Sequence, residues 1–328
     1  MRAFVVHDLC GPAGGTVADA PEPTGSHPWA DGQELLIEVH AAGVAFPDVL
    51  QSYGRYQHGA PPPYVAGGEV AGVVLRAAPG LSFAPGDRVC GLTVWGALAP
   101  RALGIPRYTV KLPPAMDFAR GAALYLNYAT AWFSLFRTGV RTGQSVLVHG
   151  AAGGVGTATI QMVRARGGQP IAVVSDDSKV AAARSAGAEE VLRSGDDWVA
   201  AARDLTGGQG ADVVIDPVGG DRFVDSLRSL DVGGVLAVVG FASGTIPTVK
   251  VNRLLLRDLS VVGVALDPYA RRHPEILPTL NEDLQRMAAD GALDPLVGHR
   301  LTLEDAAEAL RLIDERRATG KVVVDIVR

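Results

Sequence analysis

Residues 145–156, Ser-Val-Leu-Val-His-Gly-Ala-Ala-Gly-Gly-Val-Gly, have the types and spacing that point most directly to chemistry. A short apolar run, then a cluster of small residues, then helix-forming sequence is what a bound pyrophosphate needs. Ala151, Gly153 and Gly156 occupy the three small-residue positions of a dinucleotide fingerprint, which serve a tight turn, close approach of the pyrophosphate and close helix packing. The helix that follows offers N–H donors and the positive end of its dipole, so the backbone of Ala152, Gly153, Gly154 and Val155 is the candidate phosphate cradle. Forty glycines produce spaced glycines by chance, and a plain turn would use the same residues. The strand–turn–helix context favours the nucleotide site.

Positioning such a turn requires alternating strands and helices, and the sequence supplies them. The pattern predicts a helix from residue 155 to about 166 and strands at 170–174, near 191, and at 213–216, 235–240 and 260–264. With the strand at 146–148 this makes six, the number of a full doubly wound sheet. Before it, residues up to about 127 read as short strands at 3–6, 34–41, 69–75, 88–90 and 107–111, separated by Pro-Gly and Gly-Asp turns, a β-rich, barrel-like domain. Residues 48–56 read as a short helix or a loop, and 117–125 and 128–137 as helices. The tail reads as helices over 274–289 and 303–315 and a closing strand at 321–327 expected to rejoin the first domain. The nucleotide domain, residues 127–265, is thus expected as an insertion between 1–126 and 266–328, with the reaction site in the cleft between the two domains.

With 328 residues, 48% of them apolar, the chain has ample material for two cores. A net charge of −5 argues against a general nucleic-acid binder. No apolar run is long enough to span a bilayer and no signal-peptide pattern opens the sequence, so a cytoplasmic protein without membrane attachment is expected. Cys10 and Cys90 lack metal-type spacing and read as reduced, partly buried thiols.

Gly-Ala-Ala-Gly-Gly-Val-Gly at 150–156, Asp-Pro-Val-Gly-Gly at 216–220, Phe-Ala-Ser-Gly at 241–244 and Ala-Thr-Gly-Lys at 318–321 together resemble the medium-chain dehydrogenase/reductase superfamily. More narrowly, the chain resembles the zinc-independent, zeta-crystallin-like NADPH:quinone oxidoreductases over nearly its full length. The resemblance implies an α/β protein: a GroES-like β-barrel domain, a doubly wound parallel-sheet Rossmann domain, and a homodimer. In the zinc-dependent branch, the catalytic ligands stand at positions that here resemble Ala45, Gly68 and Asn127. None of these is a usual zinc ligand, and two cysteines cannot form the family's four-cysteine lobe, so no metal is expected. Glu69 reads as a salt-bridge or capping residue.

The cofactor expected is NADPH. Ser175 stands where an NAD enzyme would place an acid for the ribose hydroxyls, and its small size leaves room for a 2′-phosphate. Lys179 resembles the family's phosphate-contacting lysine or is a solvated residue on the following helix; Arg193 is a second candidate cation. Asp176 and Asp177 oppose a phosphate unless they serve as helix N-cap and first-turn acid, and Ser194 replaces a tyrosine that often helps bind it.

At the reacting end, resemblance places Asn127, Thr130, Gly240, Phe241, Val264 and Ala265 beside the nicotinamide, although Thr130 could instead bond its own helical turn, and Asp216 reads as structural. Ala45 stands where many relatives carry an Asn that reaches the cofactor. Phe46, Leu50, Tyr56, Tyr64, Trp95 and Asn127 would line a flat apolar acceptor pocket, with core packing an equal alternative for each aromatic. Tyr56 resembles the proton-donor tyrosine of related enoyl reductases and is the candidate catalytic residue. The expected reaction is hydride transfer to a small-molecule quinone. The rivals are reduction of an enone, enal or enoyl-thioester, and a weakly catalytic NADPH-binding or RNA-binding role.

Overall fold

The computed structural model describes residues 1–326. The chain divides into two compact units, one of Met1–Leu126 with the segment from Leu277 onward, the other of Asn127–Ile276.

The first unit begins with β1 (Arg2–Val6) and β2 (Gly15–Asp19), then β3 (Leu35–Val44), α1 (Phe46–Ser52), β4 (Tyr64–Val65), β5 (Glu69–Ala77), β6 (Arg88–Leu92), β7 (Arg101–Leu103), β8 (Thr109–Lys111) and the single turn α2 (Phe118–Gly121). Helix α3 (Tyr125–Thr138) starts here and continues into the second unit. That unit contains β9 (Ser145–His149), α4 (Gly154–Ala165), β10 (Gln169–Val174), α5 (Val180–Ser185), β11 (Glu190–Arg193), α6 (Trp198–Leu205), β12 (Ala211–Asp216), α7 (Phe223–Ser229), β13 (Leu230–Val238), α8 (Asn252–Leu255), β14 (Ser260–Gly263) and α9 (Leu266–Arg272). The chain then returns with α10 (Ile276–Ala289), β15 (Val297–Thr302), α11 (Ala306–Asp314) and β16 (Lys321–Asp325).

In the first unit a seven-stranded sheet runs β15-β16-β3-β5-β6-β8, with β7 also on β3, beside a small sheet β2-β1-β4. The closing strand β16 does rejoin this domain, antiparallel to β3 with Val323 opposite Gly43; Val327, read as part of that strand, lies outside the described residues. Gly72 of β5 is required by the pairing, because a Cβ there would lie 1.9 Å from the Glu38 carbonyl oxygen. Alternate residues of these strands pack with Leu303, Ala306 and Leu310 into one core.

In the second unit the six parallel strands run β11-β10-β9-β12-β13-β14, which in order of appearance is 3-2-1-4-5-6. This is the doubly wound order, with its switch point between β9 and β12. Strand β9 is buried along its whole length because helices cover both faces of a parallel sheet.

Several local expectations shift. Residues 117–125 are not one helix: α2 stops at Gly121, whose missing Cβ makes room for Leu112 and Ala71, and α3 begins at Tyr125. The strand expected at 107–111 starts at Thr109, since Pro106 opens a 3-10 turn. Cys10 is exposed and Cys90 fully buried, both free, because Cys10 lies in the loop after β1 and Cys90 within β6. No helix among the described residues is long and apolar enough to cross a membrane.

Candidate dinucleotide and acceptor sites

The glycine turn is built as its chemistry requires, with one reassignment. The left-handed residue that reverses the chain after β9 is Gly150 (φ 58°), not Ala151. Gly156 is set against the turn itself: a Cβ would sit 2.2 Å from the Gly150 carbonyl oxygen. Gly153, the N-cap of α4, faces open space, with the Gly150 oxygen 3.4 Å from a built Cβ as its nearest neighbour. One glycine thus lets the helix pack, and the other leaves the backbone approachable by a phosphate. The first turn of the twelve-residue α4 carries no acidic side chain, so its free N–H groups face no competing carboxylate there. Buried Asn127 packs on this helix, its amide nitrogen 2.5 Å from where a Cβ of Gly154 would lie.

Apart from Thr130, the remaining nucleotide candidates follow or close strands of the same sheet. Ser175 follows β10 directly, and Arg193 closes β11. Lys179 donates to Ser175 Oγ at 2.9 Å and stands 3.5 Å from Asp176 Oδ2. Asp176 caps the following 3-10 turn by accepting from Ser178 N, and hydrogen bonds from Ser178 and Ser175 hold its carboxyl down at about 2. Arg193 pairs with Asp177 at 3.2 Å and Asp196 at 2.8 Å. Beyond β13, Gly240 hydrogen-bonds the Asp216 carbonyl, and Phe241 packs where a side chain on Gly219 would stand. After β14, Val264 N bonds Val238 O and Ala265 is the N-cap of α9. Thr130 lies in the second turn of α3, where its carbonyl accepts from Ser134 Oγ.

Two residues organise the switch point, of which His149 had no role in the sequence reading. His149 ends β9 and lies 2.8 Å from Ser226 Oγ; that hydroxyl donates to Arg222 O, so the imidazole proton is on Nε2. Burial holds the ring to about 4, keeping it neutral. Asp216, ending β12, accepts from Val218 N and Gly219 N and so shapes the 216–220 loop, the structural role expected of it. A polar residue at the end of each buried strand was the only local signal.

The acceptor candidates belong to the first unit. Phe46 and Leu50 are half-buried on α1, Tyr56 follows that helix with its ring 5.5 Å from His58, and the Trp95 ring lies tilted against buried His27 at 4.6 Å. Gln51 of α1 donates to Val94 O at 2.7 Å, which ties the helix to the loop carrying Trp95. Tyr64 is buried in the core of the unit with no hydrogen-bond partner for its phenol, which burial and the Asp48 carboxyl keep protonated.

At two of the positions that resemble the zinc-ligand positions, Ala45 is the N-cap of α1 and Gly68 leaves its Cβ position 3.2 Å from Asp48 Oδ1. Neither side chain can bind a metal. Asp48 accepts from Ala45 N at 2.8 Å, and burial raises its carboxyl to about 6. Glu69 is in a salt bridge with Lys321 and accepts from Leu126 N at 2.9 Å, so it both pairs and caps α3. No group of three or more His, Cys, Asp or Glu able to hold a metal occurs among the described residues.

Two family models match: the alcohol dehydrogenase GroES-like domain over residues 31–107 and the zinc-binding dehydrogenase domain over 154–282. The chain is 33% identical over 311 residues to bovine quinone oxidoreductase-like protein 2, covering 93% of this chain and 87% of the relative. The chain belongs to the quinone oxidoreductase family of medium-chain dehydrogenases/reductases. Among solved structures, a probable oxidoreductase from Mycobacterium abscessus superposes with a TM-score of 0.89 at 38% identity, covering 99% of each chain. The Thermus thermophilus quinone oxidoreductase, solved alone and with NADPH, superposes at 0.81 with 32% identity, covering 99% of this chain and all of that one. The name of the zinc-binding dehydrogenase model describes a domain family, and the positions that resemble its zinc ligands carry Ala45, Gly68 and Asn127 in this chain.

Proposed function

We propose that this chain binds NADPH on the carboxyl edge of the β9–β14 sheet and passes hydride to a quinone without a metal ion. The observation that carries this reading is the open face of Gly153 at the N-terminus of α4, on the sheet whose strand ends also bear Ser175, Arg193, Gly240 and Val264. The Thermus relative solved with NADPH supports the same cofactor.

The α4 N-terminus neutralises the pyrophosphate, and Ser175, Lys179 and Arg193 address the 2′-phosphate. Asn127, Thr130, the Gly240–Phe241 segment and the Val264–Ala265 segment hold the nicotinamide end. When bound, the cofactor supplies the hydride. Phe46, Leu50, Tyr56 and Trp95 offer the acceptor an apolar surface, while Tyr64 is packed in the core, so the protein contributes proximity and orientation rather than Lewis acidity. The quinone gains the hydride and takes a proton from Tyr56 or water, leaving as hydroquinone.

The working form is a homodimer. Strand β14 ends the sheet, and the segment before it exposes Ile246, Val251, Leu255 and Leu256, an apolar patch that a second copy would cover. The test of function is oxidation of NADPH with benzoquinone by wild-type protein and by Tyr56→Phe. Turnover by the wild type supports the reading. Full retention of activity by Tyr56→Phe assigns the proton to water.

A further inference from the structure

The corner after β10 already holds an anion of the chain's own. Asp176 Oδ2 accepts from Ser175 Oγ at 2.7 Å; Oδ1 accepts from Ser178 N at 3.1 Å and from the Ser178 hydroxyl. Lys179 Nζ lies 3.5 Å from Oδ2 while it donates to Ser175 Oγ. Hydroxyls, a backbone N–H at the head of a helical turn and an ammonium are the donors that grip a phosphate monoester. Here they converge on a carboxylate. The second cation of the corner, Arg193, is divided between Asp177 and Asp196.

We propose that Asp176 is the cofactor-selectivity residue of this chain: its carboxylate occupies, among Ser175, Ser178 and Lys179, the place of the adenosine 2′-phosphate. The inference rests on the reading that this corner receives the adenosine ribose. NADPH must displace the carboxylate and bring a phosphate dianion beside it. NADH leaves the cluster intact and donates a ribose hydroxyl to it. The chain therefore discriminates only weakly between the two nucleotides. Because Asp176 and its neighbours face solvent, the repulsion is screened, and its removal is worth about tenfold in affinity at low salt.

The test is fluorescence titration of the intact protein with NADPH and with NADH, at low and high salt, for wild type, Asp176→Asn, Asp176→Ala and Lys179→Ala. Asp176→Asn keeps an oxygen to cap Ser178 N, so the turn is retained while the charge is lost. Expected are a wild-type affinity ratio within about tenfold and NADPH binding about tenfold tighter in both Asp176 variants. NADH binding should be unchanged or weaker, the shift should shrink at high salt, and Lys179→Ala should weaken NADPH alone. A wild-type preference for NADPH beyond about a hundredfold, or equal effects of Asp176 substitution on both nucleotides, overturns the proposal alone. Failure of the wild type to bind either nucleotide overturns it together with the underlying cofactor reading.

Discussion

Lys321 Nζ lies 2.5 Å from Glu69 Oε2, with both side chains almost wholly buried and 252 residues apart in sequence. The other Glu69 oxygen takes the Leu126 amide, so one buried acid fastens the closing strand β16 and the first turn of α3. Removing only the cation strands a carboxylate in the core. Lys321→Met should cost about 3–5 kcal/mol in urea denaturation, and Glu69→Gln added to it should recover most of the loss because glutamine still accepts from Leu126 N.

Acid stability carries the signatures of Asp48 and His149. The folded value of Asp48, about 6, lies above its unfolded value of about 4. Between them the folded chain keeps a proton the unfolded chain has lost, so this group's contribution falls as pH rises through that window and stays low above it. His149 and His27, both lowered to about 4 by burial, act in the opposite sense. Below about 6.5 the unfolded chain binds protons the folded rings refuse, so their contribution is lost on acidification. Asp48→Asn should therefore gain about 2 kcal/mol relative to wild type on going from about pH 4 to pH 7, measured by urea melts.

The two glycines of the α4 turn should separate stability from binding. Gly156→Val drives a side chain into the Gly150 and Ala151 backbone and should cost about 2–3 kcal/mol along with nucleotide affinity. Gly153→Ala meets only the Gly150 oxygen at 3.4 Å, so its Tm should hold while its Kd for NADPH rises at least about tenfold. Thermal melts and fluorescence titration read the two effects.

Dimer formation through the β14 side predicts that Leu255→Glu with Leu256→Glu, both highly exposed in the single chain, converts a dimer to a folded monomer in sedimentation. An unchanged sedimentation coefficient would remove that interface.

The sheet of the second unit was legible because most of its strands are apolar runs rich in β-branched residues and closed by glycine or a polar corner, a local pattern, with the short β11 the weakest of them. So was the Ser175–Lys179 corner, whose partners are four residues apart. Strand β15, Val-Gly-His-Arg-Leu-Thr, was not legible: its polar residues alternate poorly and it is held by pairing with β16. The α2–α3 break escaped because Gly121 serves tertiary packing against Leu112, and the His149–Ser226 contact because it joins residues 77 apart. Long-range contacts leave no local trace in the chain.

The most direct test is oxidation of NADPH by chelator-treated protein with benzoquinone and a simple enone as parallel acceptors. Undiminished turnover with the quinone, faster than with the enone, is the predicted result. Loss of activity on chelation, restored by zinc, would contradict metal-independent hydride transfer; preference for the enone would contradict the quinone as acceptor.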